Sequence, residues 1–173
     1  MIVLFYIILA VLAIVLHTSV AGYFLIWTGA KPDAMLLATV FLGLHRDRET
    51  GLIGGFFLGI FEDILSGGLL GFNALLKGLI GHYTGGLKPN MTARFVVFLC
   101  TVVFSASIFY ALFAFILAQL FIPTQFMAFT YWMDSIKTVG LNVVLAPFIF
   151  SLLGIIEGKM LPSDAGTPYP ERS

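Results

Sequence analysis

Residues 51–86 read GLIGGFFLGIFEDILSGGLLGFNALLKGLIGHYTGG. Two apolar runs flank a glycine-rich reversal, SGGLLG, which closes on Gly71; this predicts two helices folded back on each other. In the first run Gly51, Gly55, Gly59 and Asp63 recur at every fourth residue. Four residues carry a helix about 40° past a full turn, so these positions form one slowly drifting stripe. In the second run Asn73, Lys77, Gly81 and Gly85 repeat the spacing with the small and polar ends exchanged. An antiparallel hairpin then sets small end to small end and polar end to polar end. That is the close backbone approach by which membrane helices associate.

The same hairpin carries Glu62, Asp63 and Lys77 inside its apolar runs. A charge in hydrocarbon costs on the order of 3 kcal/mol even on lenient scales. Such residues must pair, face inward or be used. Asp63 lies just before the reversal and Lys77 just after it, in the same half of the hairpin. A polar clasp of Glu62 or Asp63 with Asn73 and Lys77 would lower their burial cost. A partner-facing contact, or a site for a proton, ion or substrate, uses the same residues, and spacing does not choose among the three.

Composition extends the membrane reading to the whole chain. Of 173 residues, 60% are hydrophobic and 10% charged, against the roughly 25% charged of soluble domains. Nine basic and nine acidic side chains cancel, which gives no reason to expect a nucleic-acid partner. Six apolar segments can be marked, at about 2–23, 33–44, 51–65, 71–87, 95–121 and 134–158. The expected fold is an all-α integral membrane protein, a compact bundle of six transmembrane helices over residues 1–161. A polar, proline-rich tail over 162–173 is expected to be a disordered cytoplasmic extension. The first segment has no basic lead-in and is long enough to span, so it reads as a retained helix, not a signal peptide. The second and third are short for a bilayer of about 30 Å and need extension, tilt or shelter by neighbours.

Loop charges set the orientation. Arg46 and Arg48, Lys88 and Arg94, and Lys159 and Arg172 fall on the side of the N-terminus if the spans number six. By the positive-inside rule both termini are cytoplasmic. Tyr23, Trp27, Tyr131 and Trp132 suit the opposite interface.

The remaining polar residues read as structural. His17 is expected to reach toward the interface. His82 and Tyr83 are expected to bond between helices. Asn142 is expected to make a polar contact five residues before a kink at Pro147. The single cysteine, Cys100, reads as a small hydrophobe. The sequence has no GxSxG elbow, P-loop, HExxH or paired Cys/His set. The reading is therefore non-enzymatic, with no cofactor or metal expected.

The motifs resemble one family, the rod shape-determining membrane protein MreD of bacteria. The resemblance is carried by KPDAMLLATVFLGLHRDRETG (31–51), by GLIGGFFLGIFEDILSGGLLGFNAL (51–75), and by the late Asn142 and Pro147. It implies a scaffold of the cell-elongation machinery in the bacterial cytoplasmic (inner) membrane. The implied partners are MreC, the glycosyltransferase RodA and an elongation-specific penicillin-binding transpeptidase, with the MreB cytoskeleton reached indirectly. Carried onto this chain, Pro32, Asp33, Asp63, Gly71 and Asn73 match the family's pattern, with structural or partner-binding roles implied. Glu62 and Lys77 fall outside it, which makes the clasp a feature of this sequence. The family in turn resembles the substrate-binding membrane subunits of energy-coupling-factor vitamin transporters, which share a six-helix fold. That supplies a rival function, in which Glu62, Asp63, Asn73 and Lys77 would line a pocket. Those subunits commonly dock through an Ala-xxx-Ala patch on the first helix, and Ala10, Ala13 and Ala21 lack that spacing.

Overall fold

A computed structural model of the chain describes residues 2–67, 69–87, 95–121 and 128–160. The tail over 162–173 and the basic residues Lys88 and Arg94 lie outside this set. Among the described residues every regular element is helical. The first rod joins α1 (Ile2–Val15), a π-helical turn (Leu16–Val20) and α2 (Ala21–Thr28) in one run. There follow α3 (Ala34–His45), α4 (Arg48–Ser66), α5 (Phe72–Thr84), α6 (Phe95–Phe121) and α7 (Ala128–Met160). Six rods thus stand where six apolar segments are predicted. The first continues past residue 23 to Thr28 and ends at Gly29, whose φ is 69°. The last begins at Ala128 instead of 134 and runs through Pro147 as one helix.

Among the described residues, three rods are long and apolar enough to cross a membrane: the first, α6 and α7. The other three differ for physical reasons. α4 has 19 residues but carries Arg48, Glu49, Glu62 and Asp63. α3 and α5 have only 12 and 13 residues. α3 is sheltered: every residue from Ala34 to Leu44 is buried. It packs against the first rod and against α4, α5, α6 and α7. A helix apolar on all sides belongs inside a bundle, and there its ends need not reach lipid headgroups. Met35, Leu37, Val40 and Phe41, all fully buried, centre the core.

The sequence also fixes where these helices start and stop. The Asp33 carboxylate accepts from Leu36 N at 2.8 Å and caps α3. The Asp47 carboxylate accepts from Thr50 N at 2.7 Å and caps α4; the Thr50 hydrogen bonds hold its carboxyl below the usual aspartate range. α4 ends at Gly67 and α5 begins at Gly71, with φ of 64° and 96°. These left-handed conformations suit glycine.

The α4–α5 seam is antiparallel. Gly51 faces the Gly81 backbone, Gly55 the Lys77 backbone and Gly59 the backbone of Asn73 and Ala74. A methyl group at any of the three would overlap main-chain atoms. Gly43 of α3 meets Gly81 and Thr84 as well, so three backbones converge at Gly43, Gly51 and Gly81. At that end of the bundle Arg46 pairs with Glu157 at 2.5 Å and lies over the Phe5 ring at 5.9 Å. The starts of the first rod and α4 therefore share an end with the finish of α7.

Candidate functional site

At the opposite end of the hairpin the bundle holds a buried polar network, and each of the six rods or its cap contributes to it. Lys77, fully buried on α5, donates from Nζ to Glu62 Oε2 at 2.5 Å and to Asp33 Oδ2 at 2.8 Å. The ammonium also lies 4.8 Å from the centroid of the Tyr110 ring on α6, a cation–π contact strengthened by exclusion of water. Tyr110 donates its hydroxyl to Asn73 Oδ1. On the far side Asn142 of α7 accepts from Asp33 N at 2.8 Å and donates to Ser107 Oγ at 3.1 Å. His17, in the π-helical turn, places Nδ1 at 3.9 Å from Asp33 Oδ1.

Asp63 has a different task. Its carboxylate accepts from Gly71 N at 2.8 Å, Asn73 N at 3.0 Å, Asn73 Nδ2 at 2.9 Å and Ala74 N at 3.3 Å. The first amides of a helix lack intrahelical partners, and the cap position of α5 is a glycine with no side chain to offer. Asp63 supplies the missing cap from the preceding helix. Its charge also sits at the positive end of the α5 dipole.

The four residues predicted as one clasp therefore divide in two. Lys77 and Glu62 form an ion pair, whereas Asp63 and Asn73 close the hairpin. Lys77 takes its second carboxylate from Asp33, 44 residues away, instead of from Asp63. Gly51, Gly55, Gly59 and Gly81 line the seam, and Gly71 forms the turn and lends its amide to Asp63. Asn142 joins the network; Pro147 makes none of its hydrogen bonds.

Two sequence expectations are overturned. His17 does not reach the interface: the π turn carries it inward, where it is 7% exposed. Thr18 hydroxyl bonds to the Ile14 and Val15 carbonyls, at 2.9 and 3.3 Å, accompany that turn. His82 and Tyr83 point outward, on the face of α5 away from Lys77 and Gly81, and are exposed. Sequence reasoning missed Ser107 and Tyr110. Their signal was a hydroxyl pair three residues apart, which falls on one face of α6.

The arrangement resembles a metal site only in outline. His17, Asp33 and Glu62 bring three ligand-type atoms within 4.8 Å of one another. The Lys77 ammonium already bonds both carboxylates, so a tethered cation supplies the charge. Beside the network lies a cavity of about 230 Å³, lined by Asp33, Tyr110, Asn142, Tyr131, Asp134 and Thr138.

No curated protein and no solved structure matches the chain. The sequence model for rod shape-determining protein MreD matches residues 1–156. With its helices able to cross a membrane and that match over most of its length, the chain belongs to the MreD family of rod shape-determining membrane proteins.

Proposed function

We propose that this protein is a non-enzymatic scaffold of the cell-elongation complex, binding MreC and helping to organise peptidoglycan synthesis. RodA and an elongation-specific transpeptidase are the further partners, with MreB engaged indirectly. The family match over residues 1–156 carries the proposal. The placement of side chains supports it: polar groups turn inward to bond one another, while Ile53, Phe57, Phe61 and Ile64 of α4 and Leu75 and Leu79 of α5 face outward. An apolar exterior with so few residues outside the helices leaves intramembrane faces and short turns as the recognition surfaces. We place the protein in the bacterial cytoplasmic membrane, crossing it six times with both termini inside. The gathering of Phe5, Arg46, Arg48 and Glu157 at one end is consistent with that topology.

Affinity purification from the native bacterium in mild detergent, with partners identified by mass spectrometry, tests the proposal. Recovery of an MreC-like protein with RodA or a transpeptidase supports it. Recovery of ATPase subunits with a coupling membrane protein would replace it with the transporter-subunit reading.

A further inference from the structure

The charges around Lys77 do not balance. Asp33 and Glu62 bring two carboxylates and Lys77 one ammonium, so one negative charge is left over if His17 is neutral. All four side chains are buried, and Lys77 is completely so. An uncompensated charge in such a place is expensive. Asp63 neither adds to nor relieves the imbalance directly, because four donors at the start of α5 meet its charge.

Among the described residues, the other charged or titratable groups facing His17 and Glu62 leave the count unchanged. Lys31, on the connection before Asp33, is exposed. Tyr110, on α6, is neutral as a phenol and donates to Asn73. Asp134 and Lys137, on α7, pair with each other at 3.6 Å, about half exposed. A second observation marks where the balance can be restored: His17 Nδ1 is buried, has no hydrogen-bond partner among the described residues and lies 3.9 Å from Asp33 Oδ1. The π-helical turn that brings it there is a local irregularity of a kind often found at functional sites. Finally, the 230 Å³ cavity has Asp33 in its wall and the half-exposed Asp134 at its rim, giving water a route to the cluster.

We infer that His17, Asp33, Glu62 and Lys77 form a proton-binding site, in which a single proton entering by the cavity and held on His17 or Glu62 neutralises the cluster, and on His17, beside Asp33, fastens the first rod to α3. A divalent metal fits the charge less well, since with Lys77 in place it would turn a surplus negative charge into a surplus positive one. Proton occupancy then links the acidity on the α7-start side of the membrane, the outer side under the topology proposed above, to the packing of the first rod. The site itself stands on the geometry alone, so its test is separate from the recovery of partners.

The test uses the full chain in lipid nanodiscs, with nitrogen-15 in its histidine rings, titrated between about pH 5 and 8. Magnetic resonance follows His17, assigned by its loss in His17→Gln, and infrared spectroscopy follows protonated carboxyl groups. The expected result is uptake of about one proton at His17 or Glu62 in the wild type, and none in Glu62→Gln, where Asp33 and Lys77 already balance. Constant protonation of both groups across the range overturns the inference, as does uptake undiminished in Glu62→Gln. A His17 shift on adding zinc or sodium ions at fixed pH, without one on changing pH, assigns the site to an ion instead. Should Glu62→Gln fail to fold, the wild-type titration alone decides.

Discussion

Lys77 and Asp63 look alike in the sequence, as stray charges in apolar helices, but removing them should have unlike consequences. Lys77→Met leaves Asp33 and Glu62 buried without their cation. Breaking a buried pair in this way costs about 3–5 kcal/mol, so the midpoint of thermal unfolding in detergent should fall steeply. Adding Glu62→Gln should recover part of the loss, because it removes one of the orphaned charges. Adding Asp63→Asn to Lys77→Met should recover nothing and lower the midpoint further. Asp63 serves the amides of α5, and an amide in its place turns a donor toward donors, a loss of about 1–3 kcal/mol. Equal rescue by the two second substitutions would show that Asp63 and Glu62 share one role. At the other end of α4, the Asp47 carboxyl is held below its ordinary range by Thr50. The cap is therefore fully effective above the usual aspartate range and is lost as pH falls through the lowered value. Asp47→Asn, which still accepts from Thr50 N, should flatten that acid limb of a stability–pH curve while leaving neutral stability nearly unchanged.

At the scale of the element, the α4–α5 hairpin is held by backbone proximity, and glycine is the only residue that permits it. Gly51→Ala or Gly55→Ala puts a methyl group into main-chain atoms that cannot rotate away. The helices must separate, and overpacking of this kind costs about 1–3 kcal/mol. Gly140→Ala and Gly154→Ala, on α7, meet nothing within 4 Å among the described residues and should be neutral or slightly stabilising, since alanine is the better helix former by about 1 kcal/mol. Yield of folded protein by size-exclusion chromatography separates the two sets; indistinguishable yields would remove the seam as a determinant of the fold. This hairpin was the most legible part of the sequence, because a four-residue period of glycine is a local signal and its antiparallel register follows from it. Beyond Glu62, the network around Lys77 was less legible for the opposite reason. Asp33 precedes it by 44 residues, and Ser107, Tyr110 and Asn142 arrive from helices whose rotation only tertiary packing sets. His17 was misread because an ideal α-helix does not include the π turn that carries it inward.

For the molecule as a whole, the cluster is the place where six rods are tied together, and Asn142 is the knot between its two halves. Asn142 satisfies the Asp33 amide and the Ser107 hydroxyl at once, joining α7, the α3 cap and α6. Asn142→Leu should cost about 1–3 kcal/mol through the polar groups it strands. Proteolysis should then open the bundle at α7 sooner than at the α4–α5 hairpin, whose contacts do not depend on it. The buried position of α3 has a further consequence, for the order in which the protein is made. α3 leaves the ribosome early, but Asn142 and Phe150, whose ring meets Phe41 edge-on at 5.3 Å, leave it late. Until they arrive, a 12-residue helix and the charges of Asp33, Glu62 and Lys77 lack part of their enclosure. The insertion machinery must hold the first five rods together as an unfinished assembly. Chains stopped at residue 127 should therefore be degraded in the membrane, and supplying residues 128–173 as a separate polypeptide should protect them, which pulse-chase labelling can follow.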